Sequence, residues 1–83
     1  MTASETQFYL QLPDEAAAER VGEQLRGEGF DVQAGPSPYG GDGWAAVARI
    51  AVADDALEAT EARLTELAEA AGGTLDGYDK LLR

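Results

Sequence analysis

The stretch Phe8–Ala34, "FYLQLPDEAAAERVGEQLRGEGFDVQA", decides the fold, because its hydrophobic period changes twice within one continuous run. Phe8, Leu10 and Leu12 alternate with Tyr9 and Gln11, the period of a half-buried strand, and Pro13 stops it because proline cannot donate to a sheet ladder. Asp14 then offers a capping carboxylate, and Glu15 places negative charge at the positive end of the helix dipole. Ala17, Ala18, Val21, Gly22 and Leu25 recur at helical spacing. Gly22 within that stripe costs about 1 kcal/mol relative to alanine, which is explained if the helix comes close to a sheet. Gly27 and Gly29 end the helix, and Phe30, Val32 and Ala34 alternate once more toward the same core. The stretch reads as strand, helix, strand.

Working outward, residues 35–43, "GPSPYGGDG", are dense in turn formers and are expected to be a loop. Trp44–Val52 is the longest strand candidate, with Trp44, Ala46, Ala48, Ile50 and Val52 inward and Ala45, Val47, Arg49 and Ala51 outward. Asp54 and Asp55 signal a helix start, Asp55 and Glu58 having capping-box spacing. The second helix then buries Leu57, Leu64, Leu67, Ala68 and Ala71, and Gly72-Gly73 stops it. A last short strand is centred on Leu75, and Asp76-Gly77-Tyr78 reads as a turn behind it, with Gly77 at a tight backbone position and Tyr78 folded back over a sheet edge. The order is strand, helix, strand, strand, helix, strand. Right-handed crossovers put both helices of such a chain on one face of the sheet, so the expected class is α+β, a ferredoxin-like βαββαβ two-layer sandwich with a four-stranded antiparallel sheet. Residues 1–83 are expected to form a single domain, with 1–6 as a loose lead-in.

With 83 residues and much of the 45% apolar content supplied by alanine, the core is expected to be thin and stability to be about 5 kcal/mol. Neither cysteine nor histidine occurs, which removes disulfides, thiolate chemistry, the commonest general base near neutral pH and the main zinc ligands. The glycine-rich loop lacks the lysine-hydroxyl ending of a phosphate loop and leads into a strand. Asp54-Asp55 and Asp76 with Asp79 do not form the oxygen-rich pattern of a calcium loop. A carboxylate pair working as acid and base needs a desolvated pocket, for which an alanine-rich core has little room. A non-catalytic protein without cofactor or metal is therefore expected. No apolar run is long enough to cross a membrane and no leader pattern opens the chain, so a cytoplasmic protein is expected.

The net charge of −10 is large for this length. It repels phosphate backbones and anionic membrane surfaces and favours a basic protein surface as partner, though it also serves solubility or reflects a salt-rich cell or a GC-rich genome. Residues 14–28 carry five acids against two arginines, a net −3, and residues 54–71 carry six acids against one arginine, a net −5. Most of the charge thus falls on the helix layer, where Glu15, Glu19 and Glu23 stand four apart and repel one another. That layer is either a solvated face or a docking surface. Glu19, Glu23, Glu58, Glu66 and Glu69 point away from the apolar stripes and are the candidate contacts. The open sheet face is expected to show Tyr9, Gln11, Asp31, Gln33, Val47 and Arg49, which suits a homodimer or a small-molecule sensor. Aromatic residues on a sheet face also suit stacked RNA bases, but Arg49 is the lone base there, so direct nucleic-acid binding is not expected.

The helix ending "LAEAAGG", the strand "TLDG" with Tyr78 directly after it, Trp44 opening the third strand and the upstream "DEAAAERVGEQLRGEGFDV" together resemble the ribonuclease E inhibitor B family, also called regulators of ribonuclease activity B. The resemblance spans about residues 7–79, with Tyr78 standing where members commonly carry tryptophan. It implies a small acidic cytoplasmic protein of ferredoxin-like fold that binds a ribonuclease E type endoribonuclease, lowers its activity and so alters RNA decay. It also directs attention to Asp76 and Tyr78 as partner contacts.

Overall fold

The computed structural model describes residues 4–36 and 43–81. The elements are β1 (Ser4–Leu12), α1 (Glu15–Gly27), β2 (Asp31–Pro36), β3 (Trp44–Val52), a single 3-10 turn (Asp54–Ala56), α2 (Leu57–Ala70) and β4 (Thr74–Leu81). The four strands form one antiparallel sheet in the order β2-β3-β1-β4, the ferredoxin-like arrangement expected from the order of elements.

β1 starts at Ser4, so the second half of the expected lead-in is strand, while residues 1–3 lie outside the described residues. Thr6 continues the inward alternation of Phe8, Leu10 and Leu12 and is fully buried. A β-branched residue between Ile50 and Lys80 suits a ladder paired on both sides. β3 runs beside all of β1, from Ser4 opposite Val52 to Leu12 opposite Trp44. Ala46, Ala48 and Val52 are buried as expected, and Trp44 and Ile50 are half-buried against the core.

α1 begins as its sequence dictates, the Ala17 N–H donating to Asp14 Oδ1 at 2.9 Å. Both helices end in the same device. Gly29 and Gly72 take φ of 97° and 86°, and the amides of Phe30 and Gly73 then return to the carbonyls of Leu25 and Ala68 at 3.0 and 2.8 Å. Gly22 is buried on α1, but a Cβ there would meet Val32 Cγ1 at 3.6 Å, an ordinary contact, so the expected tight helix–sheet approach is not what glycine serves. The close approach is at Gly73, where a Cβ would stand 2.0 Å from the Gln11 carbonyl oxygen.

The second helix departs from its expected start. Asp54–Ala56 form the 3-10 turn, α2 opens at Leu57, and the position before it is Ala56, with no side-chain cap. The Asp55–Glu58 box is not formed; the neighbouring Asp54 instead takes a 2.8 Å hydrogen bond from Lys80. Leu64 and Ala68 are buried, whereas Leu57, Leu67 and Ala71 are half-buried. Ala34 was expected inward, yet it is exposed because β2 is an edge strand with no neighbour on its far side among the described residues. Gly35 and Pro36 belong to β2, proline being tolerated at such an edge. Gly43 lies outside the strands, as the expected loop requires, and residues 37–42 lie outside the described residues. Five of the fourteen buried apolar residues are alanines, so each helix depends on a few large side chains, notably Leu25 and Leu64.

Candidate functional site

The end of the chain sorts the candidate residues onto two surfaces. β4 is eight residues long, not a short strand with a turn behind it, and its register against β1 slips once: Leu75 pairs with Leu10, but Gly77 pairs with Tyr9. Asp76 is the extra residue of a β-bulge, and Gly77 carries it with φ of 153°. Because side chains alternate with a period of two, one extra residue reverses the facing of everything beyond it. Leu75 points toward the helices, Asp76 and Gly77 lie on the open face, Tyr78 and Lys80 return to the helix side, and Asp79 and Leu81 face outward. Asp76 and Tyr78 were expected to act together in one turn. The bulge sends them to opposite sides of the sheet.

On the helix side, Tyr78 lies beside its cross-strand neighbour Phe8, ring centroids 5.6 Å apart and planes tilted by 47°. This tilted geometry suits the quadrupoles of two aromatic rings. Phe8 is fully buried, whereas Tyr78 remains 38% exposed, the one large apolar side chain of the described residues that is. Glu19 and Glu23 of α1 and Glu58, Glu66 and Glu69 of α2 are all exposed, as their helical spacing predicted. Among the described residues, none of these five forms an ion pair. Of the bases nearby, Arg63 is held by Glu28 at 2.6 Å, Lys80 by Asp54 at 2.8 Å and Arg26 by the Val32 carbonyl at 3.0 Å, which leaves exposed Arg20 on α1 beside the acids. The charge of the helical layer is therefore largely uncompensated.

The open face carries Tyr9, Gln11, Asp31, Gln33, Val47 and Arg49 as expected, together with Gln7 and Asp79, which sequence reasoning missed. Gln7 Nε2 donates to the Tyr9 hydroxyl at 3.0 Å, and that hydroxyl donates to Asp79 Oδ2 at 2.8 Å. The hydrogen bond to Asp79, followed by burial, raises the Tyr9 pKa above its ordinary value of 10.0. Arg49 reaches Glu5 at 3.8 Å, and its Nε is buried with no hydrogen-bond partner among the described residues. The signal for Asp79 was Gly77, since a glycine inside a strand pattern marks a bulge, and a bulge reverses the parity behind it.

The family model described as Regulator of ribonuclease activity B matches residues 2–79, nearly the whole chain. Among the curated proteins, none is similar enough to count as a match. A solved structure, the crystal structure of an unknown protein from Galdieria sulphuraria, is similar with a TM-score of 0.62 at 20% identity, and the match covers 98% of this chain and 51% of that chain. This chain thus spans about half the length of that structural relative, and the likeness concerns the fold.

Proposed function

The chain belongs to the regulator of ribonuclease activity B family, and on that premise we propose that it is a non-catalytic protein that binds a ribonuclease E type endoribonuclease through its acidic helical layer and lowers or modulates its activity. The observation that carries this reading is the set of five exposed acids, Glu19, Glu23, Glu58, Glu66 and Glu69, without ion pairs among the described residues, on the side of the sheet that also exposes Tyr78. A helix built for its own stability would interleave bases at four-residue spacing. Here the free carboxylates make a field that draws a basic segment in, and Tyr78 adds aromatic area at the margin. Asp76, on the other side of the sheet, lies outside this surface. Working beside RNA decay, the protein would act in the cytoplasm.

The test is kinetic. Association of the protein with a purified ribonuclease E type enzyme is followed at several salt concentrations, alongside cleavage of an RNA substrate. The expected result is lowered or altered cleavage and an association rate that falls with salt. Replacing the five glutamates with glutamine should slow association by about tenfold and flatten that dependence, since steering acts on encounter and is screened over about 8 Å at physiological salt. An unchanged rate with unchanged salt response would leave the layer a solvated face.

A further inference from the structure

The bulge leaves a notch on the open face. A Cβ at Gly77 would have nothing within 4 Å, and the depression over it is lined by Tyr9, Gln11, Ala45, Val47, Asp76 and Gly77. Its β3 side is apolar, formed by half-buried Ala45 and Val47. Its β4 side is anionic. Asp76 is exposed, and among the described residues its one side-chain hydrogen bond, accepted from Gln11 Nε2, is long at 3.5 Å, so the carboxylate keeps most of its acceptor capacity.

We propose that this notch docks an arginine side chain carried on an extended segment of a partner protein. The methylene stem lies over Ala45, Val47 and Gly77, and the guanidinium meets Asp76 beside the ring of Tyr9. Arginine suits such a place better than lysine, because its flat, weakly hydrated head pairs with a carboxylate through two parallel hydrogen bonds and stacks on aromatic faces. Tyr9 is already held by Gln7 and Asp79, so little side-chain freedom is lost when the ligand arrives.

The charge of the whole face selects the occupant. Among the described residues it carries Glu5, Asp31, Asp76 and Asp79 against Arg49, four acids to one base. A second copy of this chain would bring two such acidic faces together, which opposes a homodimer here, whereas a cationic segment is attracted. The notch lies across the sheet from the acidic helices, so the proposal does not depend on which enzyme the helical layer meets.

The probe is a blocked glycine–serine peptide with one central arginine, compared with its citrulline counterpart, and the readout is the amide shifts of the 15N-labelled protein. At millimolar peptide, saturable shifts are expected at Tyr9, Gln11, Val47 and Gly77. Binding should weaken by about fivefold on replacing arginine with citrulline or on Asp76→Asn. Should Asp76→Asn disturb the bulge, Ala45→Leu, which fills the notch from β3, should give the same loss. Shifts confined to the helices, equal binding of the citrulline peptide, or no shifts at all would overturn the proposal. So would sedimentation showing a dimer whose contact maps to these amides, or equal shifts with spermidine, which would assign the notch to a free polyamine.

Discussion

The Tyr9 hydroxyl donates a 2.8 Å hydrogen bond to Asp79 across the β1–β4 ladder, and the two side chains share a face only because the bulge at Asp76 reverses the parity of β4 behind it. The bond stabilises protonated Tyr9. Asp79→Asn should therefore lower the Tyr9 pKa, read as tyrosinate absorbance against a Tyr9→Phe control. A folded-state pKa raised above the unfolded value contributes stability below the unfolded pKa, near 10, and loses it as pH rises through the folded value. Lys80, raised by its hydrogen bond and charge pairing with Asp54, acts with the same sign over the same alkaline range. Wild type should thus lose more stability above about pH 10 than Asp79→Asn does. An identical alkaline profile for the two proteins would rule the linkage out.

Two glycines should respond oppositely to alanine. Gly22→Ala adds a methyl group with ordinary clearance to Val32 and removes the helix penalty, so the urea midpoint should rise, by up to about 1 kcal/mol in free energy. Gly73→Ala drives a Cβ into the Gln11 backbone and should cost about 2–3 kcal/mol or more. Denaturation of the two variants side by side reads both signs.

That contrast shows what the sequence discloses. The alternation of Phe8–Leu12 and Trp44–Val52 and the Asp14 cap are local signals, each readable without knowing its neighbours. The sequence marks Gly22 for a close approach and Gly73 only for a helix stop, and what reverses this is a partner brought in from another strand, Val32 at ordinary distance in one case and the Gln11 carbonyl in the other. Asp55 and Glu58 had the spacing of a capping box, but where the helix starts was decided in a region whose Asp54 bonds Lys80 from a distant strand. The helical acids were legible from periodicity alone. The separation of Asp76 from Tyr78 depends on the bulge, whose one local sign is Gly77, and that glycine equally suits the turn read there.

Neutralising the helical acids should leave the fold intact. Glu19→Gln with Glu23→Gln removes a like-charge pair at four-residue spacing, so stability should rise by a few tenths of a kcal/mol at low salt. The gain should shrink in 1 M salt, where charges are screened within about 3 Å. Thermal melts at both ionic strengths measure it, and a loss of stability at low salt would show that these side chains hold structural contacts.

The Phe8–Tyr78 pair closes the core at the β4 edge. Tyr78→Ala should cost about 1–2 kcal/mol, from the ring contact plus the partly buried area. Tyr78→Phe keeps the ring and should change stability by less than about 0.5 kcal/mol. Near-ultraviolet circular dichroism and urea melts distinguish a lost ring contact from a lost hydroxyl.

The position of β1 has a consequence for how the molecule is made. It is made before both of the strands that flank it, yet it lies inside the sheet, with β3 on one flank and β4 on the other, and its Glu5 is paired with Leu81. Until β4 has left the ribosome, β1 presents an open edge backed by an incomplete core, the kind of template on which nascent chains join to one another. Completion of this sheet must therefore wait for β4, and a chain cut short before Thr74 should collect as insoluble protein rather than as a smaller folded one.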